Sequence, residues 1–287
     1  MQEFQESKVS TEGDELYYKV RGQGKPLLFI APGGGNGDDY LQVADLLAGS
    51  YKIITYDRRA NARSTRNDPN AFDIRQQSRD ALAVLNAAGE STAIVIGNSS
   101  GAVIALDMAT AYPQTVHAAI IHEAPIPSVL PDAEKWEAFF KSCYEKGKSK
   151  NSSSGATKFF FGIQMPAIKL MMATMKGKKY AKKELSKFEF KPIDSKEATD
   201  ILIFNELLPI TSYKPDYTAI KDSGVNIVIA CGRYGITRNT WYASASKKVA
   251  EQLNSDFVVF PGHHGSFMDE PAAWADALLP IIQKAGW

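Results

Sequence analysis

The first chemical signal in the chain is a five-residue stretch, Gly97-Asn98-Ser99-Ser100-Gly101. A G-x-S-x-G pattern has meaning when an apolar strand precedes it and a helix follows. The serine then sits on a sharp turn with its hydroxyl projecting from the edge of a sheet. TAIVIG (Thr92–Gly97) reads as a buried strand, and AVIALDMATAY (Ala102–Tyr112) reads as a helix stopped by Pro113. The glycines on either side leave room where side chains would collide. The plain alternative is that Ser99 only caps the helix. A serine hydroxyl is a weak nucleophile at neutral pH and needs a base. The chain has 4 histidines, His117, His122, His263 and His264. The last two follow an apolar strand in FPGHHGSFMDEP (Phe260–Pro271), on a loop that can bring one imidazole to the serine.

These side chains need a scaffold, and the sequence supplies one. Short apolar runs alternate with helical patterns. The strands read as Asp14–Val20, Pro26–Ala31, Lys52–Asp57, Thr92–Gly97, Val116–Ile121, Val225–Cys231 and Asp256–Pro261. The helices read as Tyr40–Gly49, Arg75–Ala88, Ala102–Tyr112, a segment around Ser244–Leu253, and Pro271–Ala285. Such alternation predicts an α/β fold, a parallel sheet with helices on both faces. The rhythm breaks over residues 126–214, which predicts a helical cap inserted into a core of 1–125 and 215–287. The cap holds Trp136–Tyr144, Phe159–Met175 and a helical pattern over Ala198–Leu208. Phe159–Phe161, Met165, Met171, Met172 and Met175 are expected to line the site with adaptable apolar groups, or else to pack the cap on itself.

Composition narrows the classes of partner. The chain has 287 residues, 33 Lys plus Arg against 32 Asp plus Glu, and a formal charge of +1. That balance argues against a nucleic-acid binder. Between Lys141 and Lys191 there are 13 Lys and 3 Glu, which reads as a solvated face or, more sharply, as attraction for an anionic substrate, membrane or nucleic acid. Cys143 and Cys231 are too few for a disulfide scaffold. The N-terminus lacks a secretory pattern, and no run approaches the roughly 20 apolar residues of a membrane span, so a cytoplasmic protein without membrane partners is expected. No zinc-type motif is present, and neither a metal nor a cofactor is expected. A homodimer is left open.

Taken together, the chain resembles the α/β-hydrolase family over nearly its whole length. YDRRANARST (Tyr56–Thr65) is similar to the family's loop after its fourth strand, with Ala60 and Ala62 where glycines are commoner. The resemblance implies a mostly parallel eight-stranded sheet with an inserted cap. It also implies that the histidine of the family's F-P-G-G-H ending is His264 here, with His263 in place of a glycine. The family's usual acid follows the seventh strand, yet no Asp or Glu lies between Asp222 and Glu251. Glu123, in His122-Glu123-Ala124-Pro125 after the sixth strand, is the replacement, 24 residues after Ser99. Fungal zearalenone lactonases carry a glutamate there, and other hydrolases have H-E-P-P. The order Ser99, Glu123, His264 agrees with the family's nucleophile, acid and base. A loop carboxylate with a structural role is the alternative reading of Glu123.

An oxyanion hole needs two donors. The Ser100 N–H is one. By resemblance to the family's H-G-x turn, Gly34 in Pro32-Gly33-Gly34-Gly35 supplies the other, with Gly33 second. The run lacks the spacing of a phosphate loop. The expected activity is serine-dependent hydrolysis of a hydrophobic ester or lactone, including a zearalenone-like macrocycle. Thioester or C–C hydrolysis, or cyclisation, on the same triad are rivals, and a non-catalytic small-molecule receptor is a reading of another class.

Overall fold

The computed structural model of the protein describes residues 4–68, 72–185 and 195–287; Lys187, Glu189 and Lys191 of the lysine-rich stretch lie outside them. The strands are β1 Gln5–Thr11, β2 Asp14–Arg21, β3 Lys25–Ile30, β4 Tyr51–Tyr56, β5 Ala93–Asn98, β6 Val116–His122, β7 Asn226–Gly232 and β8 Asp256–Phe260. Among the described residues they form one sheet in the order β1-β2-β4-β3-β5-β6-β7-β8. β1 pairs with β2 and β2 with β4 in antiparallel fashion, and the remaining neighbours are parallel. From β3 the chain steps outward to β4, then returns to place β5 on the other side of β3. In open α/β sheets, ligands bind at the carboxyl ends of strands beside such a reversal.

The central strands are apolar without alternation because helices cover both faces. Leu27–Ile30, Ala93–Ile96 and Ala118–Ile121 are buried throughout. The helices before β6 are α1 Leu41–Leu47, α2 Ile74–Ala87 and α3 Ser100–Ala111. Between β6 and β7 come α4 Ala133–Ser149, α5 Ser152–Gly162, α6 Ala167–Leu185, α7 Ser195–Asp200, α8 Leu207–Thr211 and α9 Tyr217–Asp222. After β7 come α10 Arg233–Thr237, α11 Trp241–Leu253, α12 Ser266–Asp269 and α13 Pro271–Lys284. One core cluster joins β3, β5 and β6 to α2, α3 and α11 through Leu28, Val95, Ala105, Ile121 and Val249. A second, on the other face, joins them to α1 and α13 through Phe29, Ile94, Ile120 and Trp274. A third, around Trp136, Phe140, Ile203 and Trp241, seats the helices between β6 and β7 on α11.

Several expected elements shift. β1 extends the sheet beyond the seven strands read from apolar runs. The helix expected over Tyr40–Gly49 opens as a 3-10 turn, Gly37–Tyr40, before α1. α3 starts at Ser100, two residues before the expected Ala102. The helical pattern of Ala198–Leu208 resolves into α7, a π-helical turn at Ile201–Glu206, and α8.

Candidate active site

The sharp turn between β5 and α3 depends on close packing that only glycine permits. A Cβ on Gly97 would stand 2.2 Å from the Gly101 carbonyl oxygen, and one on Gly101 would stand 2.1 Å from the Ile30 oxygen. α3 is therefore pressed against β3, and Ser99 takes up the forced turn at φ 55° and ψ −118°. A non-glycine residue in that region is strained, and such strain persists where surrounding structure holds it. The Ser99 side chain makes no capping bond to α3, which removes the simple cap as its role. The Ser99 carbonyl accepts from Ala102 and Val103. The N–H groups of Ser100 and Gly101 open the helix without intrahelical acceptors, as first-turn groups do.

Three backbone segments meet at this edge. The Ser99 N–H donates to the His122 carbonyl at 2.9 Å, and Asn98 stands opposite His122 in the β5/β6 register. Glu123 follows at once, with φ 50°, and its N–H donates to the Ala230 carbonyl on β7. The Asn98 amide closes the group: its Nδ2 donates to the His264 carbonyl at 3.2 Å, and its Oδ1 accepts from His122 Nδ1 at 2.6 Å. The residue before Ser99 thus ties the loop after β8 to the end of β5.

Glu123 and His264 are in direct contact. His264 Nδ1 donates to Glu123 Oε2 at 2.5 Å. The other carboxylate oxygen accepts from the Gly232 N–H at 2.8 Å and from Cys231 Sγ at 3.3 Å. Glu123 is fully buried, and burial alone would raise its pKa. The His264 hydrogen bond, the neighbouring His122 and His264, and the Gly232 N–H outweigh burial and bring it down to about 2. Glu123 is thus held in the ionised form against the His264 imidazole. With Nδ1 protonated, His264 presents Nε2 as the acceptor. Ser99 is half-buried at the same edge, but no hydrogen bond joins its Oγ to His264. In serine hydrolases the bond between nucleophile and base is often long in a resting site and tightens with substrate.

The adjacent histidine is used differently. His263 Nδ1 accepts from the Gly265 N–H at 3.2 Å, and its Nε2 faces Asp269 Oδ2 at 3.2 Å. Both ring nitrogens are engaged within its own loop. His122 is fully buried, and burial, countered in part by Glu123, lowers its pKa to about 4. It stays neutral and braces Asn98. Neither the bracing role of Asn98 and His122 nor the Cys231 contact has a local sequence signature. Each depends on strands brought together by the sheet.

Opposite Ser100 lies the turn Pro32–Gly35, closed by the Gly35 N–H donating to the Pro32 carbonyl. A Cβ on Gly33 would come within 3.8 Å of Ser100 Oγ, so turn and elbow are neighbours. Gly34 has φ 93°, and a Cβ there would stand in open space. No hydrogen bond engages the Gly33 or Gly34 N–H among the described residues. The loop after β4 carries two alanines in a conformation unusual for them. Ala60 and Ala62 adopt φ 69° and 50°, the left-handed region that glycine would enter freely.

A buried ion pair joins the π-helical turn to this loop. Arg58 Nη2 donates to Glu206 Oε1 at 2.7 Å and to the Pro32 carbonyl at 2.8 Å, and both side chains are fully buried. Leu202 from the same turn lies against Gly33. Glu206→Gln is expected to lower stability by about 3–5 kcal/mol, because the Arg58 charge would stay buried without its partner. Replacing both, as Arg58→Met with Glu206→Leu, is expected to restore most of that loss in urea unfolding.

The expected methionine lining is corrected. Phe159 and Phe160 pack into the cluster around Trp136, and Met165 joins them. Phe161, Met171, Met172 and Met175 instead face outward and are exposed. The helical period shows that a stripe is apolar but not which way it points.

Comparisons with known proteins agree with this architecture. A profile of the alpha/beta hydrolase fold matches residues 25–187. The uncharacterized hydrolase YraK of Bacillus subtilis (strain 168) is 29% identical over 281 residues, covering 96% of this chain and 95% of YraK. A thermophilic esterase from Thermogutta terrifontis superposes with a TM-score of 0.72 at 16% identity, over 98% of this chain and 99% of the esterase. The enol-lactonase from Burkholderia xenovorans LB400 superposes with a TM-score of 0.68 at 12% identity, over 96% of this chain and all (100%) of the lactonase. With the profile spanning more than half of its residues, the chain belongs to the alpha/beta hydrolase fold family and is a hydrolase.

Proposed function

We propose that this hydrolase cleaves hydrophobic carboxylic esters or lactones through an acyl-enzyme, with Ser99 as nucleophile, His264 as base and Glu123 as orienting acid. The observation that carries the reading is the Glu123–His264 hydrogen bond of 2.5 Å beside a serine held on a strained elbow. In the first step Ser99 Oγ bonds to the acyl carbon while its proton passes to His264 Nε2. Glu123 stabilises the imidazolium without taking the proton. The carbonyl electron pair moves to the oxygen, which the N–H groups of Ser100 and Gly34 receive. Collapse expels the alcohol, protonated by His264. Water, deprotonated by the same imidazole, then releases the acid and restores Ser99.

In this reading residues 126–214 form the cap that selects the substrate, and Leu202 over Gly33 must yield when an acyl group enters. The position of Glu123 extends the reading to macrocyclic lactones of the zearalenone kind, which a carboxylate after the sixth strand serves in the resembling lactonases. Product analysis against a panel of aryl and alkyl esters, macrocyclic and small lactones, thioesters and 1,3-diketones tests the proposal. Hydrolysis of oxygen esters or lactones, with alcohol and acid in equal amounts, is the expected result. Turnover confined to diketones or thioesters would replace the ester reading, and ligand binding without any product would favour a receptor.

A further inference from the structure

Helix α6 is apolar on two opposite faces. Ala173, Gly177 and Ala181 are buried and recur every fourth residue. They let the helix lie close on α12, α1 and the 3-10 turn Gly37–Tyr40. Leu170 on the same side reaches Gly265, the residue after His264. The inward side of α6 thus roofs the His264 loop.

Among the described residues no side chain covers the outward stripe. Ile168, Met171, Met172 and Met175 follow the spacing of one helical face and are 70%, 58%, 61% and 64% exposed, and Phe161 just before them is 78% exposed. Helical geometry places Lys169 and Lys176 on one flank of this stripe and Lys178 on the other, with Lys176 Nζ also donating to the Asp269 carbonyl of α12. Lys179 and Lys182 continue the same face beyond Met175. All five lysines are exposed, and Glu184 is the only acid in α6. The chain's formal charge is only +1, so this concentration is local.

Charge and shape discriminate among occupants. A second copy seated on this face about a two-fold axis would set lysine against lysine. A purely apolar protein groove would gain nothing from the lysine border. An anionic lipid surface uses both parts: flexible apolar side chains enter the acyl boundary, while lysine stems lie along it and keep their ammonium groups among the headgroups. We propose that the outward face of α6, together with Phe161, docks this protein on anionic lipid surfaces, with the His264 loop directly beneath the docked helix. The docking does not depend on the hydrolase reading, since it is a binding property of the surface. It departs from the expectation of a solvated lysine face because the residues between the lysines point outward as well.

Flotation of the full chain with vesicles tests this. Vesicles of phosphatidylcholine and phosphatidylserine are expected to carry the protein, vesicles of phosphatidylcholine alone are not, and high salt is expected to release it. Two triple variants separate the contributions, each checked for native circular dichroism. Met171→Ser/Met172→Ser/Met175→Ser keeps every charge, and Lys178→Glu/Lys179→Glu/Lys182→Glu keeps every apolar group and the Lys176–Asp269 contact. Each is expected to weaken vesicle binding more than tenfold. Failure to bind anionic vesicles, or equal binding to neutral ones, would overturn the proposal. So would unchanged binding by either variant, or a dimer in solution that the methionine variant dissolves.

Discussion

Ser99→Ala is expected to lower kcat by about a millionfold while leaving ligand affinity within a small factor of wild type. Removing a serine nucleophile from a triad costs about that much, and what remains comes from the oxyanion donors and from binding. Two features of the structure make this variant informative. Ser99 makes no side-chain bond to α3, so the alanine removes no cap. The Ser99 N–H to His122 carbonyl bond involves backbone atoms only and survives the change. Loss of turnover with a preserved melting temperature would therefore report on chemistry. Steady-state rates on the best ester of the panel, together with equilibrium binding of the same ester to the variant, measure both parts.

Glu123→Gln is expected to lower kcat by about ten-thousandfold, through the wrong tautomer of His264. The glutamine fills the same volume. Its carbonyl can still accept from the Gly232 N–H, where Glu123 Oε1 now sits at 2.8 Å. That orientation turns the amide NH2 toward His264 Nδ1 and favours a ring protonated at Nε2, which cannot take the serine proton. The variant should also change the acid response of the fold. Burial opposes ionisation of Glu123, yet its hydrogen bonds and neighbouring histidines prevail and move its pKa from the usual 4.5 to about 2. The stability this supplies is present above 4.5 and is lost as pH falls toward about 2. His122 adds a second window of the same sign. Burial lowers its pKa from 6.5 to about 4, so the unfolded chain binds the proton first and stability declines as pH drops through that range. Urea unfolding across this span should show wild type weakening from pH 6.5 downward. The Gln variant should be less stable than wild type at neutral pH, and its deficit should shrink below pH 4.5.

What could be read from the chain beforehand follows from the range of each interaction. β5 and β6 were legible because strands covered on both faces are continuous apolar runs. β1, QESKVST, is an edge strand whose residues are mostly exposed, so its place depends on pairing with β2 and not on its own pattern. The serine elbow was legible because strand, glycines and helix are adjacent in sequence. The absence of an acid after β7 leaves Glu123 as the replacement, but its contact with His264 spans 141 residues and is legible only through resemblance. Asn98, the variable position of G-x-S-x-G, has no signature of its own, since its two partners lie on β6 and beyond β8. The π-helical turn was equally hidden. A single such turn is too short to impose a period of its own on the sequence, and Glu206 meets Arg58 across 148 residues. α6 shows the limit of periodicity most plainly: with Ala173, Gly177 and Ala181 on one side and methionines on the other, the larger residues, expected to line the site or pack the cap, are surface.

In the proposed chemistry Ser99 is a nucleophile activated by His264 and Glu123. Treatment with a fluorophosphonate, followed by intact-mass and peptide mapping, tests it without knowledge of the substrate. One adduct per chain, mapped to Ser99, absent in Ser99→Ala and formed far more slowly in Glu123→Gln, is the predicted result. An unmodified Ser99 in protein that hydrolyses esters, or an adduct that forms equally well in Ser99→Ala, would contradict it.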